Sequence, residues 1–284
     1  MNRTIKDILA RLLRFTGKIP NKYKFLYPFW LAATLDVVHE EIYFNTLPDE
    51  FDGCVIAFAS DPHYGPFLDR SRVIDLGQKL NDMQPDIMIL TGDYGTNSVT
   101  AAEFFDILPP LTAKHGIFAS LGNHDYRGKD EDFGHLIKTM NKSGIHLMSN
   151  SAHKIQIDDA TLCLCATEDI LEGQPDFEPL KQDVSDSDFT IFAPHSPDII
   201  PQAVQEKEFD FDLALCGHTH GGQLVIFGRS LHSSSKYGDR FRQGLMQVED
   251  HQLLVSQGVG TSLLPIRLGT RPQIHRITLK KSKP

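Results

Sequence analysis

Hydrophobic and polar positions follow two different periods between residues 50 and 150, and this pattern predicts an α/β fold. Apolar runs with the length of buried strands occupy residues 54–59, 86–90, 116–121 and 145–148. Between them lie longer segments with apolar residues at helical spacing, at 71–83, 100–108 and 130–142. Strands that alternate with helices indicate crossover connections, so we expect a largely parallel sheet.

After residue 150 the apolar runs stay short, and only residues 198–207 have the period of a helix. The predicted strands are 155–157, 162–166, 189–193, 213–216, 224–226, 245–248, 253–255 and 274–279. This spacing predicts a second sheet, mixed or antiparallel. The fold class that we expect is therefore α/β, a two-sheet sandwich flanked by helices, in one domain at residues 50–284.

Composition and charge exclude several classes of protein. Hydrophobic residues make up 40% of the 284 residues, an ordinary globular value. The apolar runs are far shorter than the about twenty residues of a membrane-spanning helix. A formal net charge of −9 argues against nucleic acid as a partner. The cysteines lie in apolar runs (Cys54, Cys163, Cys165 and Cys216), which is typical of a reducing compartment, so we expect a cytoplasmic protein.

Residues 1–49 differ from the rest of the chain, and we interpret them as a basic amphipathic segment. Residues 1–24 carry a charge of +6, which leaves −15 for the remainder. Apolar residues recur there at helical spacing (Ile5, Ile8, Leu9, Leu12 and Leu13), and an aromatic cluster follows (Phe25, Tyr27, Phe29 and Trp30). This composition predicts peripheral contact with an anionic membrane through residues 1–35. The alternative is a helix packed on the domain at residues 50–284.

Polar residues follow the predicted strands directly. They are Asp61, His63, Asp93, Asn123, His124, Asp125, His195, His218 and His220. Because the carboxyl ends of parallel strands meet at one rim of a sheet, we expect these side chains to converge. Imidazole, carboxylate and amide donors suit Mn²⁺, Fe or Zn²⁺, and there are enough for two ions that share one carboxylate. Each motif alone also fits a capped turn, but five in one order favour a metal site.

The motifs resemble those of the calcineurin-like metallophosphoesterase superfamily over residues 50–280. They read Asp61-Pro62-His63, Gly92-Asp93, Gly122-Asn123-His124-Asp125, Pro194-His195-Ser196-Pro197-Asp198 and Gly217-His218-Thr219-His220. Together with residues 255–269, the last two motifs are similar to a bacterial branch. That branch contains YkuE- and YaeI-type phosphoesterases and chlamydial-type UDP-2,3-diacylglucosamine hydrolases. The resemblance implies a two-sheet sandwich flanked by helices.

The resemblance also implies a role for each matching residue. The first ion would take Asp61, His63, Asp93 and His220. The second ion would take Asp93, Asn123, His195 and His218, with Asp93 shared. His124 would face the phosphate as a catalytic residue, and Asp125 would orient its ring. Pro62 and the pair Tyr94-Gly95 depart from the family pattern, which affects the shape of the pocket rather than the ligands.

The function that we expect is hydrolysis of a phosphoester, phosphodiester or diphosphate by a hydroxide that bridges two divalent ions, and the metal that we expect is Mn²⁺. The substrate would be a phosphorylated small molecule or a lipid-linked compound, and UDP-2,3-diacylglucosamine is one alternative. Arg267 and Arg271 could meet a distal phosphate, or could be a solvated loop pair. Tyr64, Arg127, His232, Lys236 and Tyr237 lie near the motifs without an assigned role. Two other classes stay open, a non-catalytic metal-binding interaction module and a metal-dependent amidohydrolase.

Overall fold

Two six-stranded sheets form the centre of the protein, whose computed structural model describes residues 26–282. The first sheet has the spatial order β1 (Asp36–Phe44), β14 (Gln273–Lys281), β2 (Val55–Ala59), β3 (Ile87–Thr91), β4 (Ile117–Ser120) and β5 (Ile145–Leu147). The second has the order β12 (Gly244–Val248), β13 (His251–Val255), β9 (Leu213–Cys216), β8 (Phe189–Phe192), β7 (Ala160–Ala166) and β6 (Ser151–Ile157). A short hairpin joins β10 (Val225–Ile226) to β11 (Arg229–Ser230).

The strand directions agree with the two predicted sheet types. Strands β2 to β5 are parallel, and β14 runs antiparallel to β2. In the second sheet β7, β8, β9 and β13 are parallel, while the edge strands β6 and β12 are antiparallel to their neighbours. The first sheet is therefore largely parallel and the second is mixed, as the change of period near residue 150 predicts.

Alternating side chains of the central strands separate two apolar layers. Ile56 and Phe58 of β2 point into the core between the sheets, whereas Ala57 and Ala59 pack under helices of the outer face. The longer helices cover the first sheet; they are α2 (Arg70–Asp82), α3 (Ser98–Ile107) and α4 (Asp130–Lys142). The second sheet is covered by α5 (Lys181–Ser185) and α6 (Ile200–Ala203), so the predicted helix 198–207 is shorter than expected. The result is the predicted sandwich flanked by helices.

The predicted boundary at residue 50 needs correction, because β1 lies before it. β1 pairs in parallel with β14 along its whole length and forms an edge of the first sheet. Its sequence, with His39, Glu40 and Glu41 in the middle, lacks the clean alternation of a half-buried strand. Charged residues are common on edge strands, where they discourage pairing with another chain. Periodicity alone therefore missed this strand.

The helix that carries the described part of the aromatic cluster packs on the domain. Helix α1 (Tyr27–Ala32) buries Leu31 and Ala32, and the backbone N–H of Arg267 donates to the Pro28 carbonyl at 3.0 Å. The predicted amphipathic positions from Ile5 to Leu13, together with Phe25, lie outside the described residues. Within residues 26–282, each helix is too short or too polar to cross a bilayer.

Candidate metal centre

All seven predicted metal ligands lie buried at the strand ends where the two sheets meet. The donor atoms of six of them form two groups, each within 4.8 Å, namely Asp61, His63 and His220, and Asp93, His195 and His218. The Oδ2 atom of Asp93 lies 3.4 Å from Nε2 of His63 and 3.4 Å from Nε2 of His195. One carboxylate oxygen therefore faces both groups, and each group takes residues from both sheets.

The backbone is strained at these residues. Positive φ angles of 48° to 69°, in the left-handed region, occur at Asp61, His63, Asp93, His218 and His220. Few residues other than glycine adopt this region, although Asp and His do so more readily than most. Such strain persists only where the surrounding structure imposes it, and it concentrates at functional sites. The chain accepts these conformations in order to turn five donor side chains toward one point.

Two glycines leave room for this approach. Gly92 has a φ of 72°, and a Cβ atom there would lie 2.8 Å from Nδ1 of His195. A Cβ atom on Gly217 would collide with the Asp61 carboxylate and with Ser60. Larger residues at these positions would push donors of the two sheets apart.

Two of the imidazole rings are oriented by backbone carbonyls. Nδ1 of His195 lies 2.7 Å from the Thr91 carbonyl, so its proton is held there and Nε2 faces Asp93. Nε2 of His218 lies 3.3 Å from the Ser234 carbonyl, and its Nδ1 lies 3.3 Å from Nε2 of His195. A ring that donates one N–H to a carbonyl presents the other nitrogen as a lone pair, which is the usual arrangement of a metal-binding histidine.

The charge distribution of the site suits cations. Burial lowers the pKa of His63 to about 3, and burial with the nearby Arg267 guanidinium holds the pKa of His220 well below its usual value. Burial opposes ionisation of Asp93, but the imidazoles of His195 and His63 hold its pKa well below the usual range. The Nε2 atoms of His63 and His220 approach to 3.0 Å. The pairing with Asp93 in turn holds the pKa of His195 well above its usual value against the effect of burial. A metal binds neutral rings and an ionised carboxylate, so binding at His195 releases a proton.

The amide of Asn123 supports the same interpretation. Its Oδ1 atom is buried and lacks a hydrogen-bond partner among the described residues. A buried polar oxygen without a partner is costly unless a ligand or ion meets it. Nitrogen and oxygen donors of this kind suit first-row divalent cations, so the residues present fit a binuclear centre.

His124 borders this centre, but Asp125 does not orient its ring, so that prediction is wrong. The Asp125 carboxylate accepts hydrogen bonds from the backbone N–H groups of Asp93 (2.7 Å), Tyr94 (3.0 Å) and Gly122 (2.9 Å). Burial raises the pKa of Asp125 to about 8, and these donors oppose the shift. Asp125 thus ties the loop after β3 to the loop after β4, which positions Asp93.

The half-buried His124 ring stands edge-on to the His63 ring, with centroids 4.7 Å apart. Its Nε2 lies 3.0 Å from Nη1 of Arg127. Donor atoms of His63, Asp93 and His124 also lie within 4.8 Å of one another. The ring is therefore close enough to meet a group that is bound at the centre.

The two arginines predicted to meet a distal phosphate do not have that geometry. Arg267 is fully buried and donates to the carbonyls of His220 (3.1 Å), Gly258 (3.2 Å) and Gly260 (3.2 Å). It holds the His220 loop in place and cannot reach a solvent-facing phosphate. Arg271 is exposed and forms a 3.2 Å ion pair with Asp36. Of the two residues, only Arg271 is therefore a solvated loop residue, as the alternative prediction describes.

Asp198 has a role that the sequence motif does not indicate. Its carboxylate contacts the Ser235 hydroxyl and accepts a 2.8 Å hydrogen bond from the backbone N–H of Lys236. This contact fixes the loop whose Ser234 carbonyl orients His218. An acidic residue three positions after His195 was visible in the sequence, but its partner lies 37 residues further on.

Residues 54–222 match the family described as calcineurin-like phosphoesterase. The chain belongs to this family. The calcineurin-like phosphoesterases are binuclear-metal enzymes, so this member is a metal-dependent phosphoesterase whose Asp and His clusters can bind metal.

Two bacterial relatives cover most of the chain. The uncharacterized metallophosphoesterase YkuE of Bacillus subtilis is 26% identical over 265 residues, which cover 91% of this chain and 89% of that protein. The phosphodiesterase YaeI of Escherichia coli is 32% identical over 227 residues, 79% of this chain and 81% of that protein. Among solved structures, the NAD nucleotidase of Haemophilus influenzae is 14% identical, with a TM-score of 0.47 over 73% of this chain and 45% of that chain.

Proposed function

We propose that this phosphoesterase hydrolyses a phosphodiester with two divalent cations, Mn²⁺ in the first instance. The first ion would be held by Asp61, His63, Asp93 and His220, and the second by Asp93, Asn123, His195 and His218. The observation that carries this proposal is the position of Asp93 Oδ2, at 3.4 Å from Nε2 of both His63 and His195. A shared carboxylate is what holds two ions close together in sites of this kind.

When bound, the two cations would activate a water molecule and neutralise charge on the phosphoryl oxygens. The protein supplies orientation and proton transfer. His124 lies at the rim beside His63, and its Nε2 accepts a 3.0 Å hydrogen bond from the Arg127 guanidinium. Burial and this guanidinium lower the pKa of His124, so the ring can donate a proton to the departing alcohol oxygen once a bound phosphate draws Arg127 away from it. Arg127 is exposed and can contact an anionic ligand from outside the centre.

Protonation of the leaving alcohol by His124 would serve monoesters and diesters alike, so the choice of a diester rests on a relative. The relative YaeI is itself described as a phosphodiesterase. A lipid-linked substrate is supported by the leucines that share a cavity with His220 (Leu224, Leu231, Leu263 and Leu264). A UDP-2,3-diacylglucosamine hydrolase would be one enzyme of that type.

Hydrolysis of bis-p-nitrophenyl phosphate tests the proposal. We expect turnover with added Mn²⁺, loss of activity to background after chelation with EDTA, and recovery when Mn²⁺ is returned, because the seven donors act through the ions. A parallel assay with p-nitrophenyl phosphate measures the preference for a diester. Full activity after exhaustive chelation would contradict the binuclear mechanism. A Mn²⁺-loaded protein that is inert toward both compounds would favour the non-catalytic interaction module.

A further inference from the structure

Five large hydrophobic side chains are exposed on two neighbouring loops, whereas only four others are exposed in the rest of residues 26–282. The five residues, which we call the apolar rim, are Ile226, Phe227, Leu231, Leu263 and Leu264. Phe227, at the tip of the β10–β11 hairpin, is fully exposed, and 84% of Leu263 is exposed. Solitary exposed apolar residues are ordinary, but a group of them indicates a binding surface.

The two loops of the apolar rim form one surface because Gln223 joins them. Its Nε2 atom donates to the carbonyls of Ser262 (2.9 Å) and Leu264 (3.1 Å), and its Oε1 atom accepts from the Ser262 N–H at 2.9 Å. The hairpin is closed by the N–H of Leu231, which donates to the Leu224 carbonyl. The exposed side chains are thus held on a fixed support.

The apolar rim lies on the same side of the protein as the metal centre. A cavity of about 220 Å³ is lined by His220 together with Leu231, Leu263 and Leu264. The hairpin itself follows the Gly217-His218-Thr219-His220 motif within a few residues. Whatever meets the apolar rim therefore also faces the opening beside His220.

Basic residues surround the hairpin, although the whole chain is acidic. Residues 225–242 contain four basic residues against one acidic residue, Asp239. Arg229, Lys236 and Arg240 are exposed. The contact between Ser230 and Asp239 holds the turn with Arg240 beside the hairpin. Protruding Phe and Leu side chains flanked by cations are typical of a surface that enters the interface of an anionic bilayer.

We propose that the apolar rim docks the protein on an anionic membrane, with Phe227 and Leu263 inserted among the lipids. Arg229, Lys236 and Arg240 contact the headgroups, and the cavity beside His220 opens toward the bilayer. The proposal does not depend on the phosphodiesterase function, since it concerns lipid contact alone. It places membrane contact on the catalytic domain, and not only on the predicted residues 1–35.

Helix α1 lies beside one of the two loops that form the apolar rim. The described chain begins at Leu26, and α1 meets the segment 262–267 through the hydrogen bond between Arg267 and Pro28. Residues 1–24, which carry a charge of +6, precede this helix in the sequence.

Sedimentation with vesicles tests the proposal on the full chain. The probe is phosphatidylcholine vesicles that contain about 30% phosphatidylglycerol, which gives them a strongly anionic surface. We expect the double variant Phe227→Ser with Leu263→Ser to bind these vesicles at least about tenfold more weakly, because two apolar side chains no longer enter the lipid. The variant Lys236→Gln with Arg240→Gln should bind about tenfold more weakly too, and the difference should shrink at high salt.

The matched control is Tyr43→Ser. Tyr43 is an exposed aromatic residue at the end of β1, and β1 runs so that this end lies away from the rim that holds the metal donors. This variant should bind vesicles like the wild type, and the thermal midpoint of each variant checks that the fold is intact. As a second readout, the fluorescence of Phe227→Trp in a Trp30→Phe background, which leaves a single tryptophan, should be quenched by brominated lipid.

Three results would overturn the proposal. They are a wild-type protein that stays in the supernatant, Phe227/Leu263 and Lys236/Arg240 variants that bind as well as the wild type, or no quenching of Trp at position 227 in Phe227→Trp. The second result would assign vesicle binding to another part of the chain, and the first would leave a protein partner as the occupant of the apolar rim. Weaker binding of the Phe227/Leu263 variant and of the Lys236/Arg240 variant, together with unchanged binding of Tyr43→Ser, supports the membrane surface.

Discussion

The loops of the first sheet and the loops of the second sheet contribute different chemistry to the metal centre. The first sheet supplies both carboxylates, Asp61 and Asp93, with Asn123 and one imidazole, whereas the second supplies three imidazoles. The first-sheet loops are held by carboxylates that accept backbone N–H groups, since Asp93 Oδ1 accepts from His124 N at 2.8 Å and Asp125 accepts three more. Of the second-sheet rings, those of His195 and His218 are oriented by carbonyls, whereas Nδ1 of His220 lies 3.4 Å from Nη2 of Arg267.

Contacts between the sheets make the two halves interdependent. The Asp61 carboxylate accepts the backbone N–H of His218 at 3.0 Å, and the Thr91 carbonyl orients His195. Each donor group contains residues of both sheets, so neither sheet can hold an ion alone. Metal binding should therefore stabilise the packing of the sandwich as well as supply catalysis.

The largest effect should come from Asp93, which faces both groups. Asp93→Asn keeps the size of the side chain and tolerates the left-handed backbone, so it removes mainly the shared negative charge. We expect both ions to be lost and kcat/KM to fall by more than about 10³-fold, beyond the 10- to 100-fold cost of losing an outer hydrogen-bond partner. Metal content by mass spectrometry and diester hydrolysis measure the two effects.

The control for this variant is Asp106→Asn, which changes an exposed carboxylate on α3 and should leave both readouts unchanged. If Asp93→Asn keeps one ion at full occupancy, Asp93 serves only one group, and the two halves of the centre are more independent than the distances indicate.

A smaller effect should follow from His124, which belongs to a first-sheet loop but borders the donors. His124→Ala should keep both ions and lower kcat about 10²- to 10⁴-fold, the usual contribution of a general acid or base. His135→Ala, an exposed change on α4, is the matched control. Because His124 also lies within 4.8 Å of His63 and Asp93, an emptied metal position in the variant would make it a ligand instead.

The smallest effect should come from Arg267, which acts behind the second-sheet ligand His220. Arg267→Lys keeps a cation but loses the forked geometry that reaches three carbonyls. We expect one of the two Mn²⁺ affinities to fall about 10- to 100-fold in calorimetric titrations, as for other outer partners of metal ligands.

Arg271→Lys is the matched control for Arg267→Lys, because it alters a solvent-exposed ion pair worth about 0–1 kcal/mol. Equal loss of both Mn²⁺ affinities in Arg267→Lys would show that the guanidinium supports the whole centre rather than the second-sheet half. Unchanged affinities would restrict Arg267 to folding, which the thermal midpoint reports.

Much of the fold could be predicted because buried strands and helices each give the apolar residues of the sequence a characteristic spacing. Strand β9 was predicted with its observed bounds, and α4 likewise. Strand β1 was missed because its stability comes from pairing with β14, more than two hundred residues away in the chain, and its own pattern of charges is irregular. Helix α1 is only six residues long, and its stability depends on packing against the domain, so the sequence pattern indicated an aromatic cluster there but no helix.

The sequence by itself determined the donors, because parallel strands bring their carboxyl ends to one rim whatever the details of packing. Only the tertiary structure decided how the donors are aimed. The carbonyl that orients His195 lies 104 residues away, and the guanidinium behind His220 lies 47 residues away. The tertiary structure also decided the role of Asp125, whose carboxylate accepts hydrogen bonds from backbone N–H groups. Such contacts join segments that are distant in the chain, and local periodicity carries no information about which of them meet.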